Sequence, residues 1–212
     1  MLSNIHYDKY DVIYIFLLGG LSGTVYELLL NLILHGVIED RSGSILTPFN
    51  YVYGIGAVIL LIVLGRFNKS ISVVLLGSFL GGAVEYIINV IQEVFLHSRS
   101  WNYSDKFLNI NGRTTIIYML FWGIISYLAI CFIFPKYLKL IHKMPDKVRC
   151  KIAVLLLILI IFDAIITVTS VIRYSQRKDG IFYDSSIIRT IDVIFDDHYM
   201  KLHFPNLILN SK

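Results

Sequence analysis

Two glutamates lie inside long apolar segments, where an ionisable side chain needs a specific reason. Glu27 follows the stretch LLGGLSGTVY and Glu85 follows LLGSFLGGAV, and apolar residues continue after both. A charged side chain at the centre of a membrane costs about 2.5–3.5 kcal/mol on insertion scales. The two carboxylates must therefore be neutralised, paired or hydrated, and they could bind an ion, a polar solute or a lipid headgroup.

The two glutamates belong to a repeated stretch of sequence. Glu85 lies 58 residues after Glu27, and the same offset aligns the surrounding residues without a gap. Self-similarity of this kind indicates duplicated structural elements, which set the architecture of a chain. The aligned pairs are Gly19 and Gly77, Gly23 and Gly81, Glu27 and Glu85, Asn31 and Asn89, and Arg41 and Arg99.

A spacing of four residues places the repeated side chains along one face of each helix. The glycines on that face allow a neighbouring helix to approach closely. With one span between them, the two copies run in the same direction, so the repeat is of the parallel kind. A rise of about 1.5 Å per residue places both carboxylates about 21–23 Å from the cytoplasmic face, in the outer third of a core about 30 Å thick.

Three arginines and two further acids could complete a site with these glutamates. Arg41, Arg99 and Arg113 lie in the outer loops, within reach of the two carboxylates. Glu93 continues the polar stripe of the third span, and Asp163 lies mid-way along the fifth, where it could add a third carboxylate or pair with a cation. Two interpretations stay open: a structural salt-bridge network that joins the two halves, or an outward-facing polar cavity.

Membrane-spanning helices must position these residues. A helical span needs about 20 mostly apolar residues, and five segments qualify. Thr47 and Pro48 predict the N-cap and first turn of the second span, and Pro135 predicts the end of the fourth. The sequence thus predicts an all-α polytopic transmembrane bundle of about five spans, with a parallel internal repeat that relates spans one and two to spans three and four. The predicted spans are 12–34, 48–65, 71–96, 114–134 and 152–172, in a transmembrane domain over residues 1–172.

Basic residues predict the orientation of the bundle. Nine lysines and arginines lie on the side of the N-terminus and of the loop Pro135–Lys151, against four in the opposite loops. The positive-inside rule therefore predicts a multi-pass protein of the cell membrane with a cytoplasmic N-terminus. Five spans place the tail outside, although Arg173, Arg177 and Lys178 follow the last span directly and reduce the charge bias.

The tail, residues 173–212, contains a short amphipathic pattern. Its apolar residues recur at helical spacing and predict a helix that packs on the protein, on a partner or on the membrane surface. They are Ile187, Ile188, Ile191, Ile194 and Phe195. The nearby acids and histidines, among them Asp192, Asp197 and His203, match no metal-site spacing. The sequence predicts no metal and no cofactor.

The composition excludes several classes of protein. Of the 212 residues, 56% are hydrophobic and only 16% are charged, whereas about a quarter are charged in a soluble domain. The basic residues flank the apolar segments, so the pI near 9.0 does not indicate nucleic-acid binding. Cys131 and Cys150 lack metal-type spacing and cannot be assumed to pair.

Motifs around these residues resemble a known family. The chain is similar, over about residues 10–172, to the ABC-transporter type IV, or CmpB, family of bacterial membrane permeases. Members carry a glutamate in the first span, an arginine-containing loop, a GP-x-x-P-x-YG-x-G stretch, an E-Y pair with a later E, a W-D-Y-S motif, an N-x-x-GR turn and a late aspartate. The matching residues are Glu27, Arg41, Pro48, Tyr53, Gly54, Gly56, Glu85, Tyr86, Glu93, Trp101, Tyr103, Ser104, Asn109, Asn111, Gly112, Arg113 and Asp163.

The resemblance implies a membrane component of a transporter. The chain has no Walker motif, so an ATPase would be a separate subunit. Three positions depart from the family pattern: Thr47 and Tyr51 in the glycine–proline stretch, and Asn102 in place of the motif aspartate. The candidate substrate-binding residues are Glu27, Glu85, Glu93, Arg41, Arg99, Arg113, Trp101, Asn111 and Asp163, and no catalytic residue is predicted.

Three functions are compatible with these residues. The first is a transport component that binds a solute or an ion from outside. The second is a membrane enzyme, in which carboxylates act as acid and base on a lipid or lipid-linked substrate and arginines hold a phosphate. The third is a non-catalytic regulator or assembly factor. The stretch Gly20-Leu21-Ser22-Gly23 does not indicate an intramembrane serine protease, because all six histidines fall outside the predicted spans.

Overall fold

Helices dominate the computed structural model, which describes residues 6–38, 42–67, 71–182 and 185–209, without the side chains of Leu34 and His35. Four helical segments are long and apolar enough to cross a membrane: α1, α3, the continuous segment from Ile116 to Ile141, and α6. The predicted all-α, multi-pass architecture is confirmed to this extent. The elements are α1 (Lys9–His35), α2 (Tyr51–Leu64), α3 (Ile71–Leu96), β1 (Ser98–Arg99), β2 (Asn109–Ile110), β3 (Thr114–Thr115), α4 (Ile116–Leu128), a π-helical turn (Ala129–Ile133), α5 (Phe134–Ile141), α6 (Asp146–Lys178), α7 (Ser186–Ile194), α8 (Asp197–His203) and β4 (Ile208–Leu209).

The second predicted span is a short helix, so the count of five full spans is not confirmed. Helix α2 has 14 residues and a length of about 21 Å, against about 30 Å for a membrane core. The predicted start at Thr47 and Pro48 is wrong. The N-cap is Asn50, whose Oδ1 accepts from the N–H of Val52 at 3.1 Å, and the hydroxyl of Thr47 donates instead to Asp163.

An irregular segment, residues 42–50, reaches half-way down the bundle before α2 begins. The N–H of Asn50 donates to the carbonyl of Gly20, half-way along α1, at 3.1 Å. The N–H of Leu46 donates to Asp163, half-way along α6, at 3.0 Å. Phe49 is fully buried between these helices. Non-helical backbone is tolerated at such a depth only where protein groups satisfy it, and here α1 and α6 do so.

The fourth predicted span continues past Pro135, which therefore does not end it. The π-helical turn precedes the proline, and the N–H of Phe134 donates to the carbonyl of Ala129, one residue further back than in an α-helix. A π-turn widens the helix locally, and a proline next to it needs no backbone hydrogen bond. The helix can therefore run on through α5 to Ile141.

The remaining predicted spans lie within helices of the structure. Helix α3 covers Ile71–Leu96, as predicted, while α1 and α6 extend beyond the predicted limits at both ends. Asp8 caps α1 by accepting from the N–H groups of Tyr10 and Asp11. The longest helix, α6, has 33 residues and spans about 50 Å, more than a membrane core needs.

A cluster of charges joins three elements at one end of the bundle. The buried guanidinium of Arg149, in the first turn of α6, contacts Asp11 at 2.5 Å and Asp8 at 2.8 Å. Nε2 of His142, just after α5, lies 2.9 Å from the Asp11 carboxylate. The start of α1, the end of α5 and the start of α6 are thereby held together.

At the other end, the tail folds back onto the loops between helices. Strand β4 pairs antiparallel with β1, so that Leu209 faces Ser98 and Ile208 faces Arg99. Nε2 of His203 lies 2.9 Å from the carbonyl of Ser44. Strands β2 and β3 form a second small ladder within the loop between α3 and α4.

We predict that Arg149→Gln lowers the free energy of unfolding by about 3 kcal/mol, because it leaves the Asp11 carboxylate buried without its charged partner. The matched change Asp8→Asn should cost less than about 1 kcal/mol, since the Asp8 side chain is 41% exposed. Unfolding by denaturant in micelles measures both, and equal losses would contradict the expectation. The Arg149 guanidinium lowers the pKa of Asp8, so the Asp8 contribution is present at neutral pH and disappears as pH falls through that lowered pKa.

Candidate functional site

Glu85 is buried under the loop that follows its own helix. Its exposed fraction is 8%. Oε2 accepts a 2.6 Å hydrogen bond from the hydroxyl of Thr114 in β3, and Oε1 accepts a 3.3 Å hydrogen bond from the phenol of Tyr103. Both donors lie in the 97–115 loop, which therefore covers the carboxylate.

Glu27 has an equivalent partner on the helix that follows it. Its Oε1 accepts a 2.6 Å hydrogen bond from the hydroxyl of Tyr53, in the first turn of α2. Glu27 is half-buried, and the ring of its neighbour Tyr26 lies 6.1 Å from that of Tyr53. The glutamate of each repeated segment thus accepts from hydroxyl groups that come after its helix in the chain.

Two neighbouring aromatic rings pack between the helices that carry the two glutamates. Gly23 faces the ring of Tyr53 and Gly81 faces the ring of Trp122, and a Cβ atom at either glycine would overlap that ring. The centroids of the two rings are 5.3 Å apart. Since Glu27 and Glu85 each lie one helical turn after these glycines, the two carboxylates lie at a similar height in neighbouring hairpins.

Tyr103 interacts with both carboxylates. Burial raises the pKa of its phenol, and the charges of Glu85 and Glu27 raise it further. Nearby negative charge disfavours the phenolate. The phenol therefore stays protonated and remains a hydrogen-bond donor at any physiological pH.

The predicted arginine partners hold a different acid. Arg99 and Arg113 both form ion pairs with Glu93, two turns further along α3 than Glu85. Within the described residues, the ion pairs of this region leave Glu27 and Glu85 with hydroxyl donors and no basic side chain. Arg41, the third predicted partner, lies outside the described residues.

Trp101 and Asn111 brace the 97–115 loop. The indole N–H of Trp101 donates to the carbonyl of Arg113 at 2.8 Å, and its own carbonyl accepts from Asn89 of α3 at 3.1 Å. The amide of Asn111 donates to the hydroxyl of Tyr86 at 2.9 Å. These contacts fix the loop to α3 above Glu85. At the family's aspartate position, Asn102 accepts from the N–H and the hydroxyl of Ser104, so it closes a local turn.

Asp163 contacts other groups than the two glutamates do. It is 1% exposed and accepts from the N–H of Leu46, from the hydroxyl of Thr167 at 3.1 Å, and from the hydroxyl of Thr47. All three donors are neutral, and two of them belong to the 42–50 segment. A third carboxylate beside Glu27 and Glu85, which the sequence allowed, stays a prediction.

The candidate site predicted from the sequence did not include four residues that build this region. They are Tyr53, Tyr103, Thr114 and Trp122, the hydroxyl donors and the ring that position the carboxylates. Tyr53 and Tyr103 do occupy motif positions of the family, which is the signal that could have found them. Thr114 and Trp122 carry no comparable signal, because ordinary polar and aromatic residues flank every span.

Glu85 is buried and Glu27 is half-buried, and neither lines the two surface pockets found among the described residues. One of those pockets is lined by Ile62, Val63, Arg66 and Phe67 at the end of α2. The other lies on the tail, between Arg177, Phe182 and the acids after α7. The candidate site is thus a packed polar cluster of Glu27, Glu85 and their hydroxyl donors.

Comparison with known proteins identifies a family. A family model described as "Putative ABC-transporter type IV" matches residues 14–168. That range contains both glutamates, the 42–50 segment, the 97–115 loop and Asp163, and it excludes the tail. No curated protein and no solved structure matches the chain.

We predict that Gly81→Ala destabilises the protein by about 1–3 kcal/mol, because the added methyl group overpacks the ring of Trp122. The displaced ring should also shift the tryptophan fluorescence. Gly43→Ala is the matched control, since its new methyl group would make only ordinary contacts at 3.6 Å. Thermal unfolding and emission spectra measure both variants, and a neutral Gly81→Ala would contradict the close packing of α3 against α4.

Proposed function

This chain belongs to the ABC-transporter type IV family, and on that premise we propose that it is the membrane component of a transporter that takes up a proton or a cation at Glu27 and Glu85. The family and the four long apolar helices support a multi-pass transport component. The choice of the glutamate pair as the working site rests on the contacts around it.

The absence of a described basic partner is the observation that carries this proposal. Hydroxyl donors stabilise a carboxylate, but they do not cancel its charge. Two such carboxylates at a similar height repel each other, and burial adds a penalty for each charge. Glu27 and Glu85 can escape this cost by taking up a proton or a cation from outside the chain. Reversible uptake of that kind is what a transport or coupling site requires.

The pattern of helix contacts supports a parallel repeat of two hairpins. Gly19 packs against Gly54 and Ala57 of α2, and Gly77 packs against Gly123 and Ser126 of α4. In both hairpins an aromatic residue precedes the contacting glycine, and a small residue follows three positions later: Tyr53, Gly54 and Ala57 in one, and Trp122, Gly123 and Ser126 in the other. Transporters commonly bind substrates and coupling ions where such repeats meet.

A fifth passage through the membrane is formed in our proposal by segment 42–50 together with α2. The segment enters from the side of the tail as far as the middle of α1 and α6, and α2 continues to the opposite side. Transporters often use such broken spans near binding sites. The N-terminus and the basic segment Pro135–Lys151, where α5 joins α6, then lie in the cytoplasm, and the tail lies outside.

The basic residues at the start of the tail reduce the charge bias without reversing it. Arg173 and Arg177 form ion pairs with Asp192, and Arg177 and Lys178 pair with Asp197. Counting these three residues on the side of the tail gives nine basic residues on the side of the N-terminus against seven on the other side. The positive-inside rule therefore still favours the proposed orientation.

The contacts of the arginines disfavour the enzyme hypothesis. A lipid-phosphate enzyme would need arginines free to hold the phosphate, whereas Arg99 and Arg113 are both engaged by Glu93. A separate ATPase subunit would supply the energy in the transport proposal. We expect it to dock at the basic segment Pro135–Lys151, which comprises α5, the turn after it and the start of α6.

We predict that Glu27→Gln and Glu85→Gln each abolish transport while the protein stays folded. Glutamine keeps the hydrogen-bond acceptor and removes the group that takes up a proton or a cation. The measurement is flux into liposomes that contain a pH-sensitive or cation-sensitive dye, with the purified protein alone and with its ATPase partner. Infrared titration of the protonated carboxyl groups provides a second readout that does not depend on the partner.

Two matched variants keep this test interpretable. Asp105→Asn removes an exposed acid, whose side chain is 73% exposed, and should leave flux unchanged. Asp163→Asn should lower stability, because it weakens the acceptor of the 42–50 segment. Unchanged flux and an unchanged infrared titration in both glutamine variants would refute the site. Loss of stability in step with loss of function would favour a structural or regulatory role.

A further inference from the structure

Helix α7 exposes apolar residues that no part of the described chain covers. None of its nine residues is buried. Ile187 and Val193 are each 72% exposed, and Ile194 is 57% exposed. In a membrane protein, the exposure of these apolar residues depends on where the helix lies and on which way each of its faces points.

Ion pairs fix the position of α7 beside the outer end of α6. Asp192 accepts from Nε and Nη2 of Arg173 at 3.1 and 2.7 Å and from Nη1 of Arg177 at 2.5 Å. The Arg173 side chain is only 4% exposed and that of Arg177 is 10% exposed. Buried charges of this kind dock α7 onto α6 at a defined height.

The two flanks of α7 differ in character. At 100° per residue, Ile187, Ile191 and Ile194 fall on one flank, and Arg189, Asp192 and the exposed Val193 fall on the opposite flank. Ile188 and Ile191 are half-buried towards the rest of the protein. The helix therefore presents an apolar edge on one side of its contact with α6, and on the other side an edge that carries its charged residues.

The exposure of α6 marks where the lipid-facing surface ends. Ile165 and Val168 are 61% and 41% exposed, like the apolar residues along the length of the helix before them. From Ser170 to Ser175 the helix becomes mostly buried, and Val171 and Tyr174 pack against Met200 of α8. The tail thus begins to cover α6 at the point where exposed apolar surface stops.

The height of α7 matches the headgroup layer of a bilayer. Arg173, to which α7 is bound, lies five residues beyond Val168, which corresponds to about 8 Å along the helix. The headgroup layer is about 5–8 Å thick on each side of the core. A helix at this height with one apolar edge has the features of a helix that lies in the membrane interface.

We propose that α7 lies in the headgroup layer, with the edge formed by Ile187, Ile191 and Ile194 inserted against the acyl chains of the lipid bilayer. The occupant of this surface is lipid rather than a partner protein, because the edge begins where the lipid-exposed surface of α6 ends. The inference does not depend on the transport proposal, since the tail lies outside residues 14–168, which the family model matches.

Site-directed spin labelling in proteoliposomes tests this proposal. Single cysteines at positions 187 and 194 report on the apolar edge, and one at position 189 reports on the edge that carries the charged residues. They are introduced into a background in which Cys131 and Cys150 are replaced by alanine. We expect collisions with oxygen, which concentrates in lipid, to exceed collisions with a water-soluble nickel complex several-fold at 187 and 194. The ratio should invert at 189.

Two outcomes would overturn the proposal. If labels at 187 and 194 collide with the nickel complex as often as the label at 189, the edge faces water and is free for a protein partner. If all three positions are shielded from both reagents, the tail packs on another copy of the chain. The double variant Ile187→Glu and Ile194→Glu adds an independent readout. It should increase cleavage at Arg189 by external trypsin in liposomes, and unchanged cleavage would also count against lipid contact.

Discussion

Within a membrane, every polar group of the chain must find its partner inside the protein, and this requirement explains the architecture. The 42–50 segment lies half-way down the bundle without helical hydrogen bonds of its own, and Asp163, Thr167 and the carbonyl of Gly20 satisfy it. Asp163 is therefore needed because an irregular segment passes beside it. The same requirement applies to Asn89, which is fully buried and binds Trp101 and Arg113. Buried polar side chains in this protein brace the loops that enter or cover the bundle.

The acidic residues fall into two groups according to their partners. Glu93, Asp11 and Asp192 each contact an arginine, and each joins elements that are distant in sequence or follow a loop. Glu27 and Glu85 accept only from hydroxyl groups among the described residues. A buried charge that is paired contributes to a stable arrangement, and an unpaired one needs a proton, an ion or a change of conformation. Asp163 also accepts only from neutral groups, but two of its three donors belong to the 42–50 segment, so its partners give it a structural role that the hydroxyl donors of the two glutamates do not.

Periodicity predicted the elements whose structure depends on their own sequence. Helix α3 was predicted to its ends, and the glycines that precede Glu27 and Glu85 do lie at helix contacts. The start of α2 was mispredicted because the hydroxyl of Thr47 binds Asp163, an acceptor 116 residues away, and local capping preference cannot anticipate it. Pro135 was read as a stop because a π-turn leaves little trace in sequence. The sequence grouped the arginines with three glutamates, and it did not predict that Arg99 and Arg113 both pair with Glu93. Charge and depth limit which carboxylates an arginine can reach, but the path of the 97–115 loop decides which of them it contacts.

The two ends of the described chain have different surroundings. Strand β4, near the carboxyl end, pairs with β1. Ile208 lies opposite Arg99, whose side chain forms an ion pair with Glu93. The last strand therefore contacts the loop that covers Glu85. We therefore expect an affinity tag placed shortly after Leu209 to disturb the contacts of this loop. A tag before Asp8 would instead sit beside Arg149, at the far end of α1. For purification or imaging, the amino-terminal end is the less disruptive attachment point with respect to the glutamate pair.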